Sequence, residues 1–121
     1  MARVLVVEDD PAVAQVLELA LKRAGYGVLV ARDFLSGKRA LEEGTYEAVV
    51  LDLNLPGGFG LDLLRHLRQE LGRSVPVVVL SGLRQEHHVL EALRLGAQDY
   101  LTKPFSPKEL VLRLERHVAA R

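Results

Sequence analysis

The stretch Val4-Leu5-Val6-Val7-Glu8-Asp9-Asp10-Pro11-Ala12-Val13 decides how this chain is read. Four apolar residues make a strand fit for a buried sheet, and that strand runs directly into three carboxylates. At pH 7 those acids repel: two unit charges about 4 Å apart interact by roughly 4 kcal/mol at an effective dielectric near 20. Water, a helix N-terminus or a cation must offset that. Asp10 stands where a helix N-cap belongs and Pro11 at the first helical position. Glu8 and Asp9 are left to explain.

Outward from that stretch, apolar runs of strand length alternate with segments of helical period. Val13, Val16, Leu17, Ala20, Leu21 and Ala24 recur at helical spacing, and Gly25 supplies a stop. "YGVLVAR" (26–32) is a second strand, and a more polar helix runs from Phe34 to about Glu43, ended by Gly44. "YEAVVLDLNL" (46–55) is a third strand interrupted by Asp52, and Pro56-Gly57-Gly58-Phe59-Gly60 is a loop by its turn residues. Leu61, Leu64, Leu67 and Leu71 mark a third helix, "VPVVVLSG" (75–82) a fourth strand, and residues 85–95 a helix that stops at Gly96. "DYLTKP" (99–104) is a short fifth strand, and Ser106-Pro107 opens a last helix carrying Leu110, Val111, Leu114 and Val118.

This order is (βα)5 in one domain over residues 1–121. Continuous apolar strands imply burial on both faces, hence a parallel sheet with helices on either side. Right-handed crossovers and short connections predict a flavodoxin-like, doubly wound α/β fold with strand order 2-1-3-4-5.

Composition narrows the function. Hydrophobic residues make up 49% and charged ones 26%, an ordinary globular balance. Sixteen basic residues cancel sixteen acidic ones, so the basic footprint of a nucleic-acid binder is missing. With no cysteine, disulfides and thiolate metal sites are ruled out. No apolar run approaches the roughly 18 residues of a membrane span, and the first residues lack the charged n-region and cleavage site expected of a signal peptide. The expectation is a cytoplasmic domain without direct nucleic-acid or membrane contact.

In open parallel sheets, ligands bind beyond the carboxyl ends of the strands, near the point where strand order reverses. The polar interruptions fall there: Glu8 and Asp9 end the first strand, Asp52 the third and Ser81 the fourth, while Lys103 follows the fifth. Each alone has an ordinary explanation, as a solvated helix start, a turn residue, a backbone bond or a surface charge. Together they bring three carboxylates, a hydroxyl and a lysine to one place. Oxygen ligands without His or Cys suit Mg²⁺ (or Mn²⁺), with Asp9 and Asp52 as direct ligands and Glu8 acting through water. Lys103 offers a point charge for a phosphoryl oxygen and Ser81 a hydroxyl donor. A carboxylate so flanked is placed to attack phosphorus and form an aspartyl phosphate.

With "VLVVEDD", "VVLDLNLPGGFG", "VVVLSG" and "DYLTKPF" in register, the chain resembles a response-regulator receiver domain of bacterial two-component signalling. The resemblance runs from Val4 to about Val118. It implies that Asp52 is the phosphoacceptor, Asp9 a direct Mg²⁺ ligand, Glu8 part of the acidic pocket and Asn54 a ligand through its backbone carbonyl. It implies that Ser81 and Tyr100 form the conformational switch, that Gly82 leaves room for the phosphoryl group, and that Lys103 contacts a phosphoryl oxygen. The Lys103–Pro104 bond is expected to be cis. A sensor histidine kinase or phosphotransfer protein would be the donor, and the domain would catalyse only its own phosphorylation and slow autodephosphorylation. "DYLTKPFSPKELVLRLE" resembles the winged-helix transcription-factor subclass, which implies transcription regulation and a homodimer formed on phosphorylation through Asp99, Glu109 and Arg113. In that pattern Val89 stands where a lysine partner for Glu109 is expected, and Gln98 replaces a common acid. Phe59 stands at an often acidic position, and Gly57-Gly58 beside it implies a looser loop. Leu83 and Arg84 carry no interpretable signal. The chain ends near Arg121 as either an excised N-terminal half or a stand-alone receiver.

Three rivals remain in view. A phosphatase of the haloacid-dehalogenase type would need a second Asp at the position of Asn54. A flavodoxin-like mononucleotide binder would need a hydroxyl-rich loop where "EDDPAV" stands. A receiver-shaped scaffold that is never phosphorylated would not need the complete acceptor set. His87-His88, on an exposed helix, is expected to point its rings apart and carry no site, and "GGFG" lacks the lysine and spacing of a phosphate loop.

Overall fold

Strand β1 (Arg3–Val7) pairs in parallel with β2 (Gly27–Ala31) on one side and β3 (Ala48–Asp52) on the other. The sheet continues from β3 to β6 (Val77–Ser81) and from β6 to β7 (Asp99–Thr102), all parallel. Its order is therefore β2-β1-β3-β6-β7. The short strands β4 (Asn54–Leu55) and β5 (Gly58–Phe59) form a separate antiparallel hairpin. Setting that hairpin aside, the order is the 2-1-3-4-5 expected of the sequence pattern. The computed structural model describes residues 2–82 and 86–120. Leu83, Arg84 and Gln85, the last expected to open the fourth helix, lie outside them.

Side chains alternate across the strands, and both faces are covered. Leu5, Val7, Val49, Leu51, Val77 and Val79 pack on one face with residues of α2 (Phe34–Glu43), α3 (Gly60–Arg65) and α4 (Glu86–Arg94). Val4, Val6, Ala48, Val50, Val78 and Leu80 pack on the other with Leu17 and Leu21 of α1 (Pro11–Arg23) and Leu110 and Leu114 of α5 (Pro107–Ala119). Strands β3 and β6 are buried at every residue, which is why they read as unbroken apolar runs. Asp10 caps α1 through Ala12 and Val13 N–H, and Ser106 caps α5 through Glu109 N–H.

Two segments differ from expectation. The third helix does not continue regularly to Leu71: after Arg65 it widens into a π-helical turn, His66–Glu70, closed by Leu71 N–H to His66 O at 2.9 Å. The His66 ring there is held between Glu70 (2.7 Å) and Glu42 (2.9 Å), contacts that leucine spacing does not encode. The loop after Asp52 is the β4–β5 hairpin, with Pro56 and Gly57 (φ +89°) at its turn, as a type II turn requires. Its Gly57-Gly58 pair, expected to loosen the loop, instead answers steric demands. Phe34 N–H bonds Pro56 O (3.1 Å), and a Cβ on Gly58 would lie 2.5 Å from the Phe34 ring.

Gly60 positions the site most directly. A Cβ there would collide with the carbonyl oxygen of Asp52 and come within 2.8 Å of Leu53 Cα, while Gly60 N–H bonds Leu53 O at 2.9 Å. Only glycine lets α3 start this close behind the end of β3.

Candidate functional site

Glu8 follows β1, and its N–H extends the ladder to Ala31 O (3.0 Å). Asp52 is the last residue of β3, the neighbouring strand. Both carboxylates are buried, Glu8 completely and Asp52 at 4% exposure. Asp9 lies at the mouth. One carboxylate oxygen from each of Glu8, Asp9 and Asp52 lies within 4.8 Å of the others. Lys103, just past β7, places its ammonium 2.7 Å from Glu8 Oε1 and 3.0 Å from Asp52 Oδ2. Asp52 Oδ1 accepts the Asn54 N–H (3.0 Å), and Glu8 Oε2 accepts the Asp10 N–H (3.2 Å).

The donor set fits a hard divalent cation: three carboxylates with no nitrogen or sulfur ligand. The state of Glu8 Oε1 adds to the fit. Lys103 lies at ion-pair distance, but the pair lacks hydrogen-bond geometry, so this buried oxygen has a charged neighbour and no directed donor. Burial, then the Asp52 carboxyl beside it, push the Glu8 pKa up to about 7 against the pull of Lys103 and the Asp10 amide. Burial works against the Lys103 ammonium, but Glu8 and Asp52 outweigh it and raise its pKa. One ammonium thus faces two buried carboxylates, a deficit of positive charge that a cation would remove.

Ser81, the last residue of β6, is 1% exposed. Tyr100 on β7 points outward at 42% exposure. Between them lies a cavity of about 280 Å³, also lined by Val89, Leu93 and Thr102. The Lys103–Pro104 peptide is cis. On the outer face, Arg113 bonds Asp99 (3.0 Å) and Glu109 (2.8 Å), so the three residues expected at a dimer face meet within one chain. His117 joins Asp99 at 3.1 Å. Val89 is not on that face: it is 6% exposed and packs into the core, so no exposed lysine equivalent stands there. Gln98 is structural, its side-chain oxygen accepting Val77 N–H (2.7 Å) and an Arg68 N–H (3.1 Å). The His87 and His88 rings do not diverge as expected; their centroids lie 4.0 Å apart.

A five-stranded parallel sheet that ends in an acidic cluster, a buried hydroxyl and a lysine followed by a cis-proline has the architecture of a receiver-type α/β domain. The chain belongs to the response regulator receiver domain family, whose model matches residues 4–115. It is 40% identical over 114 residues to the phosphate regulon transcriptional regulatory protein PhoB of Escherichia coli K12, covering 93% of this chain and 50% of that protein. To the DNA-binding response regulator MtrA of Mycolicibacterium smegmatis it is 42% identical over 112 residues, covering 93% and 48%. The chain spans about half the length of these curated relatives. Among solved structures, the Francisella response regulator 1452 receiver domain matches with a TM-score of 0.90 at 32% identity, covering 99% of this chain and 98% of that one. A BeF3-activated DrrB receiver domain matches with a TM-score of 0.85 at 30% identity, covering 100% and 99%. Among the described residues, no helix is long and apolar enough to cross a membrane.

One residue at the site escaped the sequence pattern. Arg32, directly after β2, donates to the Asp9 carbonyl from Nη2 (2.8 Å) and Nε (3.3 Å). A lone arginine at a strand end has no spacing signature, so only the β1–β2 register brings it to light.

Proposed function

We propose that this receiver domain accepts a phosphoryl group on Asp52 from the phosphohistidine of a sensor histidine kinase or phosphotransfer protein. The observation that carries this is the buried Asp52 carboxylate, at the end of a central strand, held between the Lys103 ammonium and the Glu8 and Asp9 carboxylates. An Asp52 oxygen attacks phosphorus as the P–N bond to the donor imidazole breaks, and the bonding pair returns to the ring nitrogen. Asp9, Asp52 and the Asn54 backbone carbonyl would hold Mg²⁺ or Mn²⁺, with Glu8 acting through water. When bound, the ion neutralises charge on the transferring group.

Lys103, paired with Asp52 beforehand, passes to a phosphoryl oxygen. The Ser81 hydroxyl donates to another, and Gly82 leaves space beside it. As Ser81 moves, Tyr100 turns into the cavity behind it. This changes the face formed by α4, β7 and α5, which carries Asp99, Glu109 and Arg113 and would form a homodimer. In a longer protein that change would control transcription. The domain turns over no separate substrate; its chemistry is its own phosphorylation and slow hydrolysis, in the cytoplasm.

Intact-mass measurement with acetyl phosphate or phosphoramidate tests this. The expected result is a gain of one phosphoryl group that requires Mg²⁺ and is lost in Asp52→Asn. No adduct, and no response to beryllofluoride, would leave a receiver-shaped scaffold.

A further inference from the structure

We propose that Arg32 is a positioning residue for the acidic cluster, acting through the Asp9–Asp10 peptide. The inference rests on the reading above, in which Asp9 and Asp52 are direct ligands of the cation and Glu8 acts through water. The geometry is a relay across one peptide plane. Arg32 grips its carbonyl side, with Nη2 2.8 Å and Nε 3.3 Å from Asp9 O. The amide side, Asp10 N–H, donates to the buried Glu8 Oε2 at 3.2 Å. Beyond it the Asp10 carboxylate caps α1. The ladder bond from Glu8 N–H to Ala31 O sets the register that brings Arg32 alongside Asp9.

A peptide plane held on both sides fixes the backbone torsions that aim the Asp9 side chain. Here one hold is a guanidinium and the other a carboxylate of the cluster itself. Among the described residues, Arg32 makes no ion pair with any Asp or Glu. Its charge is spent on a neutral carbonyl. Because that carbonyl is exposed, water would satisfy it nearly as well, and the net gain in stability is small. What water would not supply is direction. Partners that orient ligands are the ones whose loss weakens metal binding.

Charge and positioning predict opposite signs. A guanidinium beside the cluster repels a divalent cation, so its removal on charge alone tightens binding. Loss of positioning weakens it. The experiment is a calorimetric Mg²⁺ titration of the full chain as wild type, Arg32→Ala and Arg32→Lys, with melting in EDTA and the Asp9 carbonyl ¹³C resonance of each metal-free protein. We expect Arg32→Ala to bind Mg²⁺ roughly tenfold more weakly, with an unchanged melting midpoint in EDTA and a shifted Asp9 carbonyl resonance. Arg32→Lys, which keeps one donor, is expected to recover part of the affinity. Mg²⁺ binding by Arg32→Ala as tight as wild type, or tighter, overturns the positioning role while leaving the metal site standing. A wild type that binds no Mg²⁺ overturns the ligand assignment, and this role with it.

Discussion

Lys103 Nζ stands 3.0 Å from Asp52 Oδ2, and the same ammonium is 2.7 Å from Glu8 Oε1. Lys103 follows the edge strand β7 and Asp52 ends the inner strand β3, so this ion pair spans the carboxyl edge of the sheet. It is the one basic group facing the cluster among the described ion pairs. Lys103→Met therefore leaves the buried Asp52 carboxylate, and Glu8 in its ionised form, without a counter-charge. Breaking a buried pair by removing one partner costs about 3–5 kcal/mol, and the partial exposure of Lys103 places this case near 3 kcal/mol. Urea unfolding at pH 7 in EDTA measures it. Added Mg²⁺ is expected to restore much of the loss, since it supplies the missing charge; equal stability of mutant and wild type in EDTA would refute the charge account.

Asp52→Asn is expected to act in the opposite direction on stability. It removes one of two repelling buried acids but keeps the shape and an oxygen to accept the Asn54 N–H. The metal-free protein should gain about 1–2 kcal/mol, because the change relieves the repulsion that Asp52 exerts on Glu8 and leaves Glu8 and Lys103 as a charge-balanced pair. The stabilisation by Mg²⁺ should shrink at the same time. A lower urea midpoint for the mutant would mean that the Asp52 charge is needed to hold Lys103 in place.

The contrast between these two residues and Arg32 shows what was legible in the chain. Strand order, helix caps and the convergence of Glu8, Asp9, Asp52, Ser81 and Lys103 follow from local patterns: unbroken apolar runs, Asp-Pro and Ser-Pro starts, polar residues at strand ends. Arg32, Gly60 and His66 act through register and close approach, which depend on how distant elements meet. The π-turn at His66 is invisible because a leucine repeat fits a regular helix equally well. That Val89, at the position of the expected lysine, packs into the core is hidden for a related reason: its place on α4 depends on how that helix rolls against β6.

Gly60→Ala tests the close approach that places Asp52. The added methyl would meet the Asp52 carbonyl and the Leu53 backbone, neither of which has a rotamer to give. Overpacking typically costs 1–3 kcal/mol, and a backbone collision puts this change at about 3 kcal/mol. Because the shift falls on the acceptor residue, phosphorylation by acetyl phosphate should slow along with the loss of stability. A mutant of wild-type stability and rate would show that α3 retreats from β3 without cost.

The pH dependence of stability divides between two acids of opposite sign. The Glu8 pKa is raised from 4.5 to about 7 by burial and by Asp52. The folded protein thus holds this proton more tightly than the unfolded chain. That contribution is fully present below about pH 4.5 and is lost as pH rises through about 7. Burial pushes the Asp99 carboxyl up, but His117, the Tyr100 amide and Arg113 together bring it below its ordinary 3.8. Its contribution is present above that value and is lost as pH falls through and below it. The metal-free melting midpoint should therefore peak in mildly acidic buffer and fall on both sides. Glu8→Gln is expected to flatten the alkaline side and Asp99→Asn the acid side. Saturating Mg²⁺ should also flatten the alkaline side, because a bound cation favours the ionised ligand and displaces its proton. Melting curves from about pH 3 to 8, with and without Mg²⁺, read all four cases. An alkaline fall that survives both Glu8→Gln and Mg²⁺ would place its origin outside the cluster.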